Sequence, residues 1–104
     1  MEEMILVYVT NPSKEKAQEL AEHLLNKRLV ACANIISGNS MYWWDGVIEK
    51  ENEFLLLVKT VEENFDTVRH EIMDIHEYQI PCIIKIPVTA NQQYVQWLRS
   101  EIRI

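Results

Sequence analysis

MYWWDGVIEKENEFLLLVKT, the stretch from Met41 to Thr60, predicts two strands joined at Asp45-Gly46. An Asp-Gly dipeptide accepts the positive φ angles that a tight hairpin turn requires. After the turn, Val47–Glu53 is mostly charged and suits a solvated ribbon that extends beyond the body of the domain. Phe54–Val58 is then continuously apolar, which is typical of a strand covered on both faces in the middle of a sheet. The hairpin is therefore expected to have one end in the core and the other end outside it.

The incoming arm of the hairpin carries Tyr42, Trp43 and Trp44 in a row. Alternation along a strand sends Trp43 and Trp44 to opposite faces, so a lone hairpin cannot bury both indole rings. Large aromatic side chains on a protruding hairpin are typical anchors of a protein interface. We therefore predict that these three residues lie in an oligomer interface. The alternative is that Trp43 and its neighbours line a ligand cleft.

The remaining sequence predicts two more outer strands, one more central strand and three helices. In chain order we expect a central strand at Met4–Thr10, a helix starting at Asn11-Pro12-Ser13, a strand at Leu29–Ile36 leading into the hairpin, a helix from about Phe65 to His76, a strand at Cys82–Val88 and a terminal helix starting at Asn91. Ser37–Ser40 predicts a bulge or bend before the hairpin arm. Pro87 cannot donate a ladder hydrogen bond and indicates an edge strand.

The predicted order, β-α-β-β-α-β with a C-terminal helix, indicates an α+β fold of the ferredoxin-like type, a sandwich of two helices on a four-stranded antiparallel sheet. We expect residues 1–104 to form a single domain. The inner strands would be the first and the third. Two helices cover only one sheet face, although both inner strands are apolar on both faces. A second copy of the chain is the simplest cover, so we predict an oligomer.

Composition and charge exclude several partners. The formal net charge of −6 repels a phosphate backbone, so we expect no nucleic-acid partner. No apolar run approaches the roughly 20 residues that cross a bilayer, so we expect no membrane insertion. Met1–Met4 lacks the features of a secretory signal, and we expect a cytoplasmic protein. In a reducing compartment, Cys32 and Cys82 would be free thiols or soft metal ligands.

Other proteins of ferredoxin-like topology fit the sequence less well. An RNA-binding module would need aromatic and basic motifs on its sheet. A copper-chaperone domain would carry Cys-x-x-Cys after its first strand, where this chain has Asn11-Pro12-Ser13. An acylphosphatase-like enzyme would need a glycine-rich phosphate loop, which does not follow Val9. We expect no catalytic residues and no enzymatic activity.

Five ordered segments resemble the CutA family of divalent-cation tolerance proteins. They are LVACANI at 29–35, YWWDG at 42–46, LLLVKT at 55–60, HEYQIP at 76–81, and PVT at 87–89 followed by Tyr94 and Trp97. The resemblance implies a homotrimer of ferredoxin-like subunits in which the hairpin pairs with a neighbour. It also implies a cytoplasmic, non-enzymatic role in tolerance of copper and other divalent metal ions. Since the architecture is similar to that of PII proteins, the alternative is a signalling or scaffolding trimer that binds a small ligand in the clefts between subunits.

The metal site implied by the resemblance centres on His76 in the His-x-Tyr-x-x-Pro motif, with Cys32 as a second ligand. Many family members carry proline where this chain has Glu77, and an acidic residue where it has Cys82. Cys82 is therefore a third candidate, and its thiolate would favour Cu(I) or Zn(II) over harder ions. No cofactor is obligatory. The family's glycine after Pro-Val-Thr is replaced by Ala90.

Each candidate also has a structural interpretation. His76 closes a helix, where an imidazolium would interact favourably with the helix dipole. Cys32 in a strand is often a small buried hydrophobe. Lys59 at the end of a central strand and Tyr78 are expected to point into one cleft, together with Trp43.

Overall fold

The structure, a computed structural model, describes residues 1–104 and contains one four-stranded antiparallel sheet and three α-helices. The elements are β1 (Glu2–Asn11), α1 (Lys14–Asn26), β2 (Cys32–Trp44), β3 (Val47–Thr60), a short 3₁₀ turn (Glu62–Asn64), α2 (Phe65–Ile75), β4 (Ile83–Ala90) and α3 (Gln92–Glu101). None of the helices combines the length and the apolar character needed to cross a membrane.

The strand order β2-β3-β1-β4 confirms the predicted topology. The inner strands β1 and β3 are those whose sequences are apolar without alternation, as expected for strands with neighbours on both sides. β2 and β4 are the edges, and Pro87 lies in β4 opposite Ile5 of β1. The predicted edge position of Pro87 is confirmed.

One sheet face is covered by α1 and α2. The side chain of Ser13 caps α1 by accepting a hydrogen bond from the backbone N–H of Lys16 at 3.1 Å, which confirms the predicted helix start. The main core lies between these helices and the sheet, and it is formed by Ile5, Val7, Val9, Leu20, Ala21, Leu24, Val30, Leu56, Val58, Val68 and Ile72. Helical spacing on one side and strand alternation on the other bring these side chains together.

The opposite sheet face is covered only at one end. There, Val95 and Leu98 of α3 pack against Met4 and Val61 in a smaller cluster. The rest of this face, named the open face, is defined by the alternating residues Tyr8, Asn34, Ile36, Leu55, Leu57 and Ile84. An apolar sheet face without a covering layer is a surface on which another chain can pack.

The hairpin extends well beyond the sheet body. Only Phe54–Thr60 of β3 pairs with β1, so residues 38–53 form a two-stranded projection, named the ribbon. The chain measures 45 Å along its longest axis against 25 and 21 Å across. At the tip, Asp45 and Gly46 have φ angles of 54° and 83°, as a hairpin turn with two positive φ angles requires. The predicted turn and ribbon are confirmed.

Two predictions about β2 are wrong. Ser37–Ser40 forms no bulge, because β2 and β3 pair residue for residue from Cys32 to the turn and every position finds a ladder partner. The strand begins at Cys32 rather than at Leu29. The carbonyl of Leu29 accepts hydrogen bonds from the Thr60 hydroxyl at 2.6 Å and the Asn64 amide at 3.1 Å. These contacts hold Leu29 in a loop.

Candidate functional site

His76 is held by two hydrogen bonds at the C-terminal end of α2. Its Nε2 donates to the carbonyl of Thr10 at 2.7 Å, and its Nδ1 accepts from the backbone N–H of Tyr78 at 3.1 Å. These partners place the single ring proton on Nε2 and occupy the lone pair of Nδ1. A metal ion could bind either nitrogen only after one of these bonds had broken.

Tyr78 connects this loop to the base of the ribbon. Its phenol donates a hydrogen bond of 2.5 Å to Oε2 of Glu53. Its ring packs against the ring of His76, with 4.8 Å between the two ring centroids. Burial, followed by the hydrogen bond to Glu53, raises the pKa of Tyr78 above its ordinary value. The phenol therefore remains a hydrogen-bond donor through the physiological pH range.

Glu53 differs from its sequence-based interpretation as a solvated residue of the ribbon. Only 6% of its surface is exposed. It lies next to Phe54, where the ribbon joins the sheet, and Tyr78 approaches it from a loop 25 residues later in the sequence. A charged residue beside an apolar run gives no signal of such a distant partner, so local pattern reasoning could not identify this contact.

Cys82 lies beside the same carboxylate. Burial raises the pKa of its thiol, and the negative charge of Glu53 raises it further. The protonated thiol is a poor metal ligand and a poor nucleophile. Within a single copy, the environment of Cys82 therefore opposes the thiolate that soft metal binding requires.

The three predicted metal ligands do not converge in one chain. Cys32 begins the edge strand β2, whereas Cys82 immediately precedes β4 at the opposite edge. Three interstrand spacings separate these edges by roughly 14 Å. Both cysteines are free thiols. No group of three or more His, Cys, Asp or Glu side chains in the chain is arranged to hold a metal ion. The residues of a single copy therefore do not form a site that fits a metal ion.

Lys59 and Tyr78 do not share a cleft within one chain. Lys59 pairs across the ladder with Cys32 and Leu6, and its ammonium lies 5.3 Å from the centre of the Tyr94 ring. Tyr94 in turn packs against Trp97 with 5.5 Å between ring centroids. The contact of Tyr78 with Glu53 is farther back along β3, roughly 20 Å away at the usual rise of a strand.

The aromatic residues of the ribbon are exposed in the single chain. Trp43 lies opposite Ile48, and Trp44 lies opposite Val47 at the next ladder position. Because side chains alternate along a strand, Trp43 and Trp44 face opposite sides as predicted. Trp43 is 72% exposed and Trp44 is 43% exposed. The chain itself leaves both indoles exposed.

Sequence reasoning did not single out a groove on the molecule's surface that is lined by charged residues. This groove has a volume of about 550 Å³ and lies between the 3₁₀ turn, β4 and α3. Two ion pairs cross its walls, Lys85 with Glu62 at 2.7 Å and Arg99 with Glu63 at 2.9 Å. Since each cation already has a carboxylate partner, the groove offers no unpaired cation for an anionic ligand.

The chain is similar to a well-defined group of proteins. The family model described as CutA1 divalent ion tolerance protein matches residues 5–101. The divalent-cation tolerance protein CutA of Archaeoglobus fulgidus is 42% identical over 97 residues, which cover 92% of this chain and 95% of the relative. Its namesake from Pyrococcus horikoshii is 39% identical over 101 residues, covering 96% and 99%.

Solved structures agree with these sequence matches. The structure of an A. fulgidus protein described as periplasmic divalent cation tolerance protein CutA superposes with a TM-score of 0.94 at 39% identity, covering 96% of this chain and 99% of that one. The crystal structure of CutA1 from P. horikoshii gives a TM-score of 0.93 at 37% identity, covering 97% and 100%. The likeness therefore extends over the whole fold, including the ribbon.

Proposed function

Because the chain belongs to the CutA1 divalent ion tolerance family, we propose that it acts in divalent-cation tolerance as a non-enzymatic homotrimer. In this proposal three copies pack their open faces together, and the ribbon of each copy lies against its neighbour. Copper is among the ions that the trimer binds.

The observation that carries the proposal is the apolar surface that one chain leaves uncovered. The exposed large apolar residues of the ribbon and the open face are Met41, Trp43, Trp44, Val47, Ile48, Ile36 and Ile84. A monomer in water rarely leaves so many large apolar side chains exposed on one hairpin and the sheet face that adjoins it. The edge strands β2 and β4 also have no strand paired with their outer sides. A second and third copy would cover these features and close the assembly by symmetry.

Metal binding in this proposal occurs between copies. One chain cannot bring Cys32, Cys82 and His76 together, but residues of different copies can meet at a subunit boundary. The bound ion is the cargo of the tolerance function. The expected preference is for Cu(I) or Zn(II), which soft thiolate and imidazole ligands favour.

We also propose a cytoplasmic location, which the two free cysteines support because unpaired thiols persist in a reducing compartment. Fractionation of cells that express the protein tests this, and recovery in the periplasmic fraction would overturn it. A PII-like trimer that binds a small ligand between subunits is the alternative function.

The function is tested by calorimetric titration of metal-stripped protein with Cu(II), with Zn(II) and, under reducing conditions, with Cu(I). The proposal predicts binding at a fixed ratio per trimer that is lost in Cys32→Ser, Cys82→Ser or His76→Ala. His70→Ala is the matched control, since His70 is an exposed imidazole on α2. Weak binding without fixed stoichiometry, unchanged in all variants, would contradict metal binding and favour the PII-like alternative.

A further inference from the structure

Lys59 is a half-buried lysine without a carboxylate partner. The other half-buried lysine, Lys16, has two carboxylates within reach, Glu77 at 3.0 Å and Glu19 at 3.4 Å. Lys59 takes part in none of the ion pairs of the chain. Its ammonium lies over the ring of Tyr94 in a cation–π contact. In a chain of net charge −6, a half-buried lysine without a carboxylate partner is available to pair with an anion from outside the chain.

Glu49 is a half-buried glutamate without a charged partner, as Lys59 is a half-buried lysine without one. Every other glutamate that is buried or half-buried has a donor: Glu53 has Tyr78, Glu71 has His23 and Lys27, and Glu101 has Arg28. Glu49 is half-buried on the ribbon opposite Tyr42 and takes part in none of the side-chain hydrogen bonds or ion pairs. The chain thus leaves one half-buried lysine and one half-buried glutamate without a charged partner.

Glu49 and Lys59 cannot meet within one copy. Both belong to β3, and alternation places both on the side of the sheet that includes the open face. At the usual rise of a strand they are roughly 33 Å apart, and a strand cannot fold back on itself. Their charges can neutralise each other only between two copies.

We propose that Glu49 of each copy forms an ion pair with Lys59 of the neighbouring copy. This inference rests on the proposed trimer and specifies how its ribbons are positioned. The ribbon projects roughly 23 Å beyond the sheet body at the usual rise of a strand, which is comparable to the 25 Å width of a neighbouring copy. A ribbon laid across the neighbour's open face can carry Glu49 to the end where Lys59 lies over the Tyr94 ring.

The proposed contact joins unlike surfaces, since each copy gives Glu49 to one neighbour and Lys59 to the other. Contacts of this head-to-tail kind close into a ring when the rotation between copies permits it. In a trimer the same ion pair would occur at each of the subunit boundaries. The pair would select the correct register of the ribbon, because a shift along the strand would leave both charges unpaired.

A charge-swap series tests this proposal by analytical ultracentrifugation of Lys59→Glu, Glu49→Lys and the double variant. Each single variant places like charges together and is expected to raise the concentration at which the trimer dissociates by about tenfold or more. The double variant is expected to recover most of the loss. Lys50→Glu is the matched control for charge change, because Lys50 is exposed on the other side of the same ribbon strand.

Two results would overturn the ion pair. The single variants could dissociate no more readily than Lys50→Glu, or the double variant could be as weak as the sum of the two single changes. If a charge reversal prevents folding, Lys59→Gln and Glu49→Gln replace it, and their trimers must then depend less on salt concentration than the wild type. A wild-type trimer without charge-swap rescue would refute the pair alone, whereas a wild-type monomer would refute the proposed trimer.

Discussion

The phenolic oxygen of Tyr78 lies 2.5 Å from Oε2 of Glu53 and donates a hydrogen bond to this buried carboxylate. This contact joins the loop after α2 to the point where the ribbon leaves the sheet. The same loop is held to β1 by the hydrogen bond from His76 to the carbonyl of Thr10. The segment predicted to hold a metal ion, from His76 to Tyr78, is therefore held in one chain by hydrogen bonds to β1 and β3.

Tyr78→Phe is expected to reduce the free energy of unfolding by about 1–3 kcal/mol, because the Glu53 carboxylate would lose its donor while remaining buried. Tyr8→Phe is the matched control, since Tyr8 is half-buried and its hydroxyl makes no hydrogen bond within the chain. Urea unfolding of both variants measures the difference. Equal stability of the two variants would show that the Tyr78 hydroxyl contributes nothing.

Gly46→Ala is expected to destabilise the protein by about 1 kcal/mol, because Gly46 has a φ of +83° that an L side chain rarely adopts. Steric contact is not the cause, since nothing lies within 4 Å of an added Cβ. Gly38→Ala has the same open surroundings without the positive φ and serves as the control. Thermal unfolding should show a lower Tm for Gly46→Ala alone. Equal Tm values would refute the backbone explanation.

Arg99 is expected to make stability depend on pH in the acidic range. Its guanidinium donates to both carboxylate oxygens of Glu63, at 2.9 and 3.2 Å, and lowers the pKa of that carboxyl. Since the folded pKa is below the unfolded value of about 4.3, the contribution is present above that pH and is lost as pH falls through the folded pKa.

In Arg99→Gln, the pKa of Glu63 should return towards its ordinary value and this part of the acid dependence should disappear. Carboxyl chemical shifts in an NMR titration, together with unfolding free energies between pH 5 and 3, measure both effects. Arg103→Gln is the control, because the side chain of Arg103 is exposed and has no carboxylate partner. An unchanged Glu63 titration in Arg99→Gln would contradict the assigned cause.

The elements that could be predicted from the sequence are those decided by local chemistry. The apolar runs at Met4–Thr10 and Phe54–Val58 identified the inner strands, Asp45-Gly46 identified the turn, and Pro87 identified an edge. The predicted bulge at Ser37–Ser40 is wrong because cross-strand pairing with β3 overrides a weak local signal.

The candidate site was less predictable because its contacts join residues far apart in sequence. Glu53 and Tyr78 are 25 residues apart, and His76 and Thr10 are 66 residues apart. The motif around His76 identified candidate residues, but not that both ring nitrogens would be hydrogen-bonded. Likewise, Lys59 and Glu53, the partner of Tyr78, share a face of β3 by alternation, while their contacts with Tyr94 and Tyr78 lie at different ends of that strand.

The proposed homotrimer places the exposed ribbon and the open face in its subunit interfaces. Sedimentation equilibrium of the wild-type protein at micromolar concentration tests it most directly. The proposed trimer is expected to sediment as a single species with three times the chain mass of 12.3 kDa. A stable species with the mass of one chain would contradict it, because Trp43 and its apolar neighbours would then face water without a partner.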